Sequence, residues 1–490
     1  MTPVFHLIAA LVLPLAVAIV QLLLPWRGMA RRGLGLMGTA LMFANGLALI
    51  EIARVSGPIT IVIGGWPSTI GISLGVDILS ALMVMITGFI GFAGLLHSPA
   101  SLPEDDEARG FQPLYQLLLF GVSGAFLTRD LFNLFVWFEV MLLSSFVLIA
   151  MGGGKKRLQG AVKYVALNLV ASFLFLTAAG LLYANLGTLD FQDMAVKVCE
   201  SGEARAGVLT AGALLFLSFS TKAGLFPLYA WLPASYHTPP HTISAVFAGL
   251  LTKVGVYALF RVLGQVFASE RAFFMPVLGL LSLLTMIAGV LGAASQFHTR
   301  RILSFHIISQ IGYMTIALVA GTTAALAAGI FYIIHHIIVK TNLFFAAAAI
   351  ARHGGGEDLN RTGGLYRAAP WLGVLFLLPA LSLGGIPPLS GFWAKFALLS
   401  ELLALRDWLG AGIAIAVGIL TLFSMTKIWS EAFWKNRPAE TDSTGPLGFA
   451  HLAPMILLGS ATIWLSLFPS GLFELADAAA RQLLSPLAAP

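Results

Sequence analysis

The chain has few charged residues for its length of 490 residues. Only 10% are Asp, Glu, Lys or Arg, whereas soluble globular domains carry about 25%. With 58% hydrophobic residues and a mean hydropathy of +0.90, the chain lacks the charged surface needed to enclose its apolar residues in water. This composition excludes an ordinary soluble enzyme and a disordered protein, and it predicts a membrane protein.

Cysteine and nucleotide-binding motifs are scarce as well. Cys199 is the only cysteine, which excludes a fold held by internal disulfides. No Gly-x4-Gly-Lys-Ser/Thr run occurs, which argues against ATP-driven transport by this chain. Residues 33–38 match the Gly-x-Gly-x-x-Gly pattern of dinucleotide-binding sites. They lie, however, inside an apolar segment with no strand before it, where such a site does not form. We therefore expect no cofactor.

Long apolar runs dominate what is present. A hydrocarbon core about 30 Å thick requires about 20 apolar residues per helix. Fourteen segments satisfy this requirement: 4–25, 33–55, 75–97, 113–129, 131–151, 162–184, 208–230, 242–266, 273–296, 302–321, 325–350, 371–403, 409–433 and 449–470. No Lys or Arg precedes the first, which predicts a retained span and not a cleaved signal peptide. The predicted fold is an all-α polytopic membrane protein, with one transmembrane domain over 1–490.

Basic residues are shared unevenly between the two sets of alternate loops. One set, which runs from Arg27 to Arg437, holds sixteen of the 28 Lys and Arg residues; the other holds eight, and four lie within spans. Cytoplasmic loops of membrane proteins carry an excess of Lys and Arg. We therefore expect the larger set in the cytoplasm, a cell-membrane location, and both termini outside.

Four lysines and one acid lie where a charge is costly. Lys222, Lys253, Lys340 and Lys395 each occur inside an apolar run, and Glu139 joins them in the fifth segment. A lysine at the centre of a membrane helix costs about 2.5–3.5 kcal/mol. Snorkelling or a structural ion pair could account for one or two of these residues, but one carboxylate cannot neutralise four amines. We interpret the group as proton carriers, since burial favours the neutral form of an amine.

Histidines extend this group. His336 and Lys340 are four residues apart and share one helix face, and an imidazole can pass a proton on near neutral pH. His335 points about 100° away and could be either a relay or a packed core residue. His237 and His241 flank two prolines in a loop, where they could guard access of water. The prolines disrupt the helical face that a metal site would need, so we expect no metal.

Two spans are interrupted by proline. The seventh breaks at Pro227 and the twelfth at Pro387 and Pro388, each within a turn or two of a buried lysine. In lipid such a break is tolerated only where protein or water satisfies the freed backbone groups. The breaks lie five spans apart, and an odd offset places them in opposite orientations. We therefore predict two inverted five-span repeats, spans 4–8 over 113–266 and spans 9–13 over 273–433, flanked by 1–97 and 449–490.

These motifs resemble the antiporter-like subunit family, which is shared by the Mrp multisubunit cation/proton antiporters and the membrane arm of respiratory complex I. The matching residues are Phe138-Glu139, Lys222 with Pro227, the run from Trp231 to Arg261, His336 with Lys340, and the run from Gly385 to Lys395. Residues 131–139 are most similar to the D-subunit branch of the Mrp antiporters. The resemblance implies that Glu139 and Lys222 form a coupled pair. It also implies that Lys253 and His336 continue a hydrated axis, which Lys395 ends.

The resemblance implies a proton-translocating subunit of a Na⁺/H⁺ antiporter. Such a chain is a secondary transporter subunit, not an enzyme, and works with other membrane subunits in lipid, without nucleic acid. An alternative is a proton-pumping subunit of a complex I-type or membrane-bound hydrogenase-type oxidoreductase. Two further alternatives are a stand-alone transporter and a haem or quinone oxidoreductase subunit. The last would use His298, His306, His335 or His336 and would leave the buried lysines unexplained.

Overall fold

The computed structural model describes residues 2–23, 28–67, 71–436 and 447–485. In these ranges twelve helices are long and apolar enough to cross a membrane, and two shorter apolar helices accompany them. Together these helices overlap all fourteen segments predicted from the sequence, and the all-α polytopic fold class is confirmed. Both terminal residues and the loop residues Arg27 and Arg437, which were used to predict the orientation, lie outside the described residues.

The apolar helices follow one another along the chain. In order they are Pro3–Leu23, Met29–Ser56, Ile78–Ser101, Phe111–Leu127, Leu131–Ala150, Lys155–Leu186, Arg205–Ala223, His241–Arg261, Arg271–Ser295, Thr299–Ala320, Thr323–Gly354, Pro370–Gly384 with Ser390–Ala404, Trp408–Trp429 and Phe449–Leu467. We number them spans 1 to 14 in this order. Span 7 continues after its break as Leu228–Ala230 and Trp231–Ser235, and span 12 consists of two half-helices.

Smaller elements, which the sequence analysis did not predict, connect the spans. An antiparallel hairpin of Ile59–Val62 and Ser73–Val76 joins spans 2 and 3. The others are the short helices Glu104–Ala108, Phe191–Cys199 and Leu365–Ala368, the 3-10 turns Ile63–Gly65, Gly202–Ala204 and Ala268–Glu270, and the π-helical ends Val262–Val266 and Ser430–Trp434. A last helix, Pro469–Leu484, packs across spans 3 and 11, where Phe473 stacks on Phe331 at 4.2 Å between ring centroids.

Spans 8 and 11 form the centre of the bundle. The most apolar stretch of each is entirely buried by the rest of the protein, whereas spans 1, 6 and 9 bury less than half of theirs. Glycines bring the central helices close together. A Cβ on Gly255 would lie 2.8 Å from the carbonyl carbon of Lys222 in span 7, and one on Gly249 would collide with Thr341 in span 11. The helices that carry Lys222, Lys253 and Lys340 therefore pack side by side.

A buried ion-pair cluster closes one end of the bundle. Asp77 caps span 3, and its carboxylate accepts a hydrogen bond from the backbone N–H of Ser80 at 2.9 Å. The same carboxylate pairs with Arg261 of span 8 at 2.5 Å and with Arg129, which follows span 4, at 3.1 Å. Burial alone would raise the pKa of Asp77, but the two guanidinium groups hold it well below its usual range. We call this the Asp77 end.

The opposite end of the bundle carries a cluster around Glu357, which follows span 11. The Glu357 carboxylate contacts Arg300 at 2.5 Å and His241 at 3.1 Å. Span 3 runs from the Asp77 end to Ser101, whose hydroxyl lies 2.6 Å from that of Thr242 beside His241. The two clusters are therefore separated by the length of a span. We call this the Glu357 end.

Two connections show the same backbone pairing at opposite ends. A bridge between Asp130 and Asp190 joins the start of span 5 to the residues after span 6, at the Asp77 end. A bridge between His298 and Asp358 joins the start of span 10 to the residues after span 11, at the Glu357 end. Spans 5 and 6 correspond to spans 10 and 11 in the predicted repeats. This pairing supports the inverted repeats, which remain a prediction.

We expect the Asp77→Asn substitution to destabilise the protein. Asn keeps the helix cap but leaves Arg261, whose side chain is 1% exposed, without its carboxylate, and breaking a buried ion pair costs about 3–5 kcal/mol. Because the pKa of Asp77 is lowered on folding, its contribution is complete above the unfolded pKa of about 4 and is lost below it. The apparent thermal midpoint of the solubilised variant should therefore lie below that of the wild type by the same amount at every pH between about 5 and 8. In stronger acid the difference between the two proteins should shrink.

The control is Glu51→Gln, which removes an ion pair with Arg54 on the exposed surface of span 2. Exposed pairs contribute little to stability, so this variant should melt like the wild type. An Asp77→Asn protein as stable as the wild type would contradict the role given to the cluster.

Candidate functional site

Glu139 and Lys222 are joined through a serine. Ser172 of span 6 donates a hydrogen bond to Glu139 Oε1, and Lys222 Nζ donates to Ser172 Oγ at 3.1 Å. Across the described ranges no direct ion pair links the two charged groups, although each lies in the electrostatic field of the other. The structure therefore brings the predicted pair together and adds Ser172, which the sequence analysis missed.

Aromatic rings and a helix end surround the ammonium group of Lys222. Its Nζ lies 4.8 Å from the centroid of the Phe138 ring, which packs against Phe175 and Phe219. The face of an aromatic ring stabilises a cation that is removed from water. Lys222 also lies in the last turn of span 7, where the helix dipole favours a positive charge. The site can therefore hold a charged amine without a direct carboxylate contact.

The protein satisfies the backbone groups that the break in span 7 frees. The indole N–H of Trp231 donates to the carbonyl of Thr221 at 2.9 Å. The backbone N–H of Phe226 donates to Thr285 Oγ1 of span 9, also at 2.9 Å. An interrupted helix needs such partners inside a membrane. The break is therefore an ordered feature that ends the helix immediately after Lys222.

The break in span 12 supplies acceptors for Lys395. The first half-helix ends at Gly384, and Lys395 Nζ donates to the carbonyls of Leu383 at 2.9 Å and of Gly384 at 3.1 Å. These carbonyls belong to the last turn of the half-helix, where helix acceptors lack intrahelical partners and the dipole is negative. The Tyr313 ring lies 5.2 Å from Nζ, and a cavity of about 180 Å³ opens beside the amine. Each break thus places a lysine at the C-terminal end of a half-helix.

Lys253 and Lys340 occupy the centre of the bundle, and both side chains are completely buried. Lys253 Nζ donates to the carbonyl of Ala248 at 2.5 Å. Lys340 Nζ has no hydrogen-bond partner in the part of the chain that the structure describes. The two amines lie within electrostatic range of each other, so a proton on one opposes a proton on the other.

Three histidines lie between the central lysines and Lys395. His336 is within electrostatic range of Lys253 and of His306 from span 10, and His306 is within range of Lys395. Both ring nitrogens of His336 and of His306 are buried and lack a partner among the described residues. Buried polar atoms of this kind usually bind ordered water in proteins. His335 instead makes a 2.9 Å hydrogen bond through Nδ1 to the hydroxyl of the serine that starts the second half of span 12.

The ionisable groups therefore form a line across the middle of the bundle. It begins at Glu139 and Lys222 and crosses the contact between spans 7 and 8 to the central lysines. From there it continues past the histidines and ends at Lys395. Glu139 and Lys395 are partly exposed on the flanks of the molecule, whereas Lys253, Lys340 and His336 are enclosed. We call this line the ionisable axis.

His237 and His241 lie away from the ionisable axis, at the Glu357 end. The His241 ring contacts Glu357, and the centroid of the His237 ring lies 5.8 Å from that of His298. Burial lowers the pKa of His237 to about 4. Burial alone would raise the pKa of Glu357, but His241 and Arg300 hold it well below its usual range. Near neutral pH this cluster combines a carboxylate with neutral imidazoles.

Fold and site together define a class: a polytopic helical membrane protein with ionisable groups lined up across its interior. Residues 128–422 match the family described as NADH:quinone oxidoreductase/Mrp antiporter, transmembrane. The chain belongs to this family.

Similarity to individual proteins extends over nearly the whole chain. It is 42% identical to the D subunit of the Na⁺/H⁺ antiporter of Alkalihalophilus pseudofirmus, over 91% of this chain and 88% of that protein. It is 37% identical to the Bacillus subtilis protein of the same name, over 98% and 97%. The structure superposes on a chain of the Mrp complex from Dietzia sp. DQ12-45-1b with a TM-score of 0.91 and 30% identity, covering 99% and 98% of the two chains.

Ser172→Ala should slow ion transport about 10- to 100-fold. The substitution removes the hydroxyl between Glu139 and Lys222, and hydrogen bonds to charged groups contribute about 1.5–3 kcal/mol. Proton movement across membrane vesicles measures the effect. The control is Thr177→Ala on the same span, whose exposed hydroxyl donates to the carbonyl of Phe173 in its own helix. Equal rates for the two variants would contradict a role for the bridge.

Proposed function

We propose that this chain is the proton-translocating D subunit of a multisubunit Na⁺/H⁺ antiporter in a cell membrane. The observation that carries the proposal is the ionisable axis, in which Glu139 and Lys395 mark the two flanks of a fully buried centre. The relatives named as D subunits of Na⁺/H⁺ antiporters, at 37–42% identity over nearly the full length, support the same function. Glu139, Lys222, Lys253, His336 and Lys395 are the proposed proton carriers, with Lys340 and His335 beside them.

The Glu139–Ser172–Lys222 bridge is arranged for proton transfer. The hydroxyl of Ser172 accepts from the ammonium group and donates to the carboxylate at the same time. A concerted shift along these two hydrogen bonds moves one proton from Lys222 to Glu139: an N–H bond breaks, an O–H bond forms on the carboxylate, and the hydroxyl exchanges its proton. The reverse shift reloads Lys222. The bridge can thus act as a two-state switch at one end of the axis.

Electrostatic repulsion links this switch to the rest of the axis. Because the two central amines lie within electrostatic range of each other and neither contacts a carboxylate among the described residues, a proton that reaches Lys253 favours release from Lys340. His336 and His306 offer the next acceptors before Lys395. A membrane potential contributes about 2.3 kcal/mol per charge per 100 mV, which is sufficient to bias such a relay. Protons enter near Glu139 and leave near Lys395.

Partner subunits are expected on both flanks. Glu139 and Lys395 are only partly covered by the chain itself, and both lie in apolar helices where lipid would not accommodate a charge. A neighbouring membrane subunit that covers spans 5 and 6, and another that covers span 12, would shield these groups. The exchanged sodium ion is handled by the assembled complex.

Glu139→Ala and Lys222→Ala should each abolish antiport while the complex still assembles. Either substitution removes one end of the bridge, so the serine hydroxyl can no longer connect a donor with an acceptor. Antiport is measured as sodium-induced collapse of a pH gradient in everted vesicles, and assembly as co-purification of the subunits. Lys163→Ala is the control, because that lysine is exposed in the first turns of span 6. Full activity in either bridge variant would contradict the proposal.

The orientation that we propose places both termini and the helix Phe191–Cys199 outside the cell, and the larger set of basic loops in the cytoplasm. We also propose the inverted repeats 113–266 and 273–433, which the paired bridges at opposite ends support. The repeats require spans 5 and 10 to run in opposite directions.

Cys199 offers a direct test of orientation, since it is the only cysteine and is exposed. A membrane-impermeant maleimide should label it in intact cells. A Lys155→Cys variant in a Cys199→Ser background should react only in inverted vesicles, because Lys155 begins span 6 at the other end. The opposite labelling pattern would show that the orientation is inverted.

A further inference from the structure

We propose that Gln310 of span 10 is a positioning residue for proton transfer, which orients the water molecule through which His306 passes its proton toward Lys395. The inference rests on the proposed function, because it assumes that His306 and Lys395 carry protons. It gives a role to a buried amide near the last section of the ionisable axis, which is not among the proposed carriers.

Gln310 is completely buried, and only one end of its amide group is bonded. Its Oε1 accepts a hydrogen bond from the hydroxyl of Tyr332 in span 11. Its Nε2 is buried and makes no hydrogen bond to any residue that the structure describes. An amide that only tied span 10 to span 11 would leave this donor unsatisfied, which is costly in a buried site. The unbonded amino group therefore points to a further partner, such as water.

His306 lies one turn before Gln310 on the same face of span 10. Residues four apart on a helix have their Cβ atoms about 6 Å from each other. Both side chains are completely buried, and both ring nitrogens of His306 lack a partner in the described part of the chain. A donor without an acceptor and an imidazole without a partner are thus neighbours, and unsatisfied polar atoms of this kind favour a bridging water.

Direct contacts connect Gln310 with the surroundings of Lys395. The ring of Tyr332, whose hydroxyl donates to Gln310, stacks on that of Tyr313 with 5.4 Å between centroids and 12° between planes. The Tyr313 ring in turn lies 5.2 Å from Lys395 Nζ. His306 is itself within electrostatic range of Lys395. Gln310 therefore belongs to the group of side chains between which a proton must pass from His306 to Lys395.

The two tyrosine hydroxyls of this group already donate their protons elsewhere. Tyr332 donates to Gln310 Oε1, and Tyr313 donates to the carbonyl of Ala414 in span 13 at 2.5 Å. A hydroxyl has only one proton to donate, so neither tyrosine can donate to a water molecule as well. The amino group of Gln310 has two protons, and no described residue accepts either of them. Gln310 is therefore the group that can orient a water by donating to it.

The step is a proton transfer from His306 to water and onward to Lys395. An N–H bond of the imidazolium breaks, and an O–H bond forms on the water. This water releases another of its protons through further water to the neutral amine of Lys395, where an N–H bond forms. Gln310 neither gains nor loses a proton. Its amino group donates to one lone pair of the water oxygen, so that the other lone pair faces His306.

The test compares Gln310→Met and Gln310→Glu in the complete complex, in everted vesicles. Met removes both polar ends of the amide at similar length, whereas Glu keeps an acceptor for Tyr332 and removes only the donor. We expect both variants to lower the maximal antiport rate about tenfold or more, with unchanged complex abundance and an unchanged half-saturating sodium concentration. Gln116→Met is the matched control and should transport like the wild type. Gln116 is a completely buried amide of span 4 that donates to the carbonyl of Gly35 at 3.3 Å.

A rate within about twofold of the wild type in either Gln310 variant would overturn the proposal. If only Gln310→Glu is normal, Gln310 serves merely as the acceptor for Tyr332. A density map of the wild-type complex that shows ordered water is the second measurement, in case the variants fail to assemble. We expect one water within hydrogen-bond distance of both Gln310 Nε2 and a ring nitrogen of His306, and dry packing between these atoms would likewise overturn the proposal.

Lys222→Ala in the same vesicles separates this inference from the proposed function. If Lys222→Ala is inactive while the Gln310 variants are normal, only the role of Gln310 fails. If Lys222→Ala is fully active, the proposed function fails, whatever the Gln310 variants show.

Discussion

The cost of placing a charged amine in a medium without water determines the rest of this structure. Four lysines lie within apolar helices, and Lys253 and Lys340 are completely buried. Each cation at the centre of a membrane helix costs about 2.5–3.5 kcal/mol unless polar groups stabilise it. No described lysine of this group makes an ion pair with a carboxylate. Among the described residues, carbonyls, a serine hydroxyl and aromatic rings share the task. We propose that such partners stabilise the charge weakly enough to let a proton leave.

The interrupted helices follow from this constraint. Inside an intact helix each carbonyl already accepts a hydrogen bond from its own helix, whereas the carbonyls of the last turn have no such partner and are free to accept from a cation. At the break in span 12 the last carbonyls of the first half-helix accept hydrogen bonds from Lys395. At the break in span 7 the helix ends immediately after Lys222, and neighbouring spans satisfy the freed backbone groups. Local disruption of secondary structure is thus stabilised by tertiary contacts, and it places Lys222 and Lys395 at helix ends, where we propose that they carry protons.

The sequence predicted those features in which a residue differs strongly from the apolar residues around it. Charged residues inside apolar runs identified Glu139 and the four lysines, and prolines in such runs located both breaks. Ser172 was missed because serine is common in membrane helices. Its position between Glu139 and Lys222 follows only from the packing of spans 5 and 7 against span 6. The Asp77–Arg261 pair joins residues 184 positions apart, which no local pattern reveals. The hairpin between spans 2 and 3 is short and only partly apolar, so the search for spans did not register it.

For the ionisable axis to carry protons, the interior of the bundle must be wet along it. The most direct measurement is a density map of the complete complex, at a resolution that shows ordered water. We expect water molecules bound to Lys340 Nζ and to the ring nitrogens of His336 and His306, forming hydrogen-bonded connections toward Lys253 and Lys395. Dry apolar packing around these nitrogens, or amines that extend to the lipid headgroups, would contradict it.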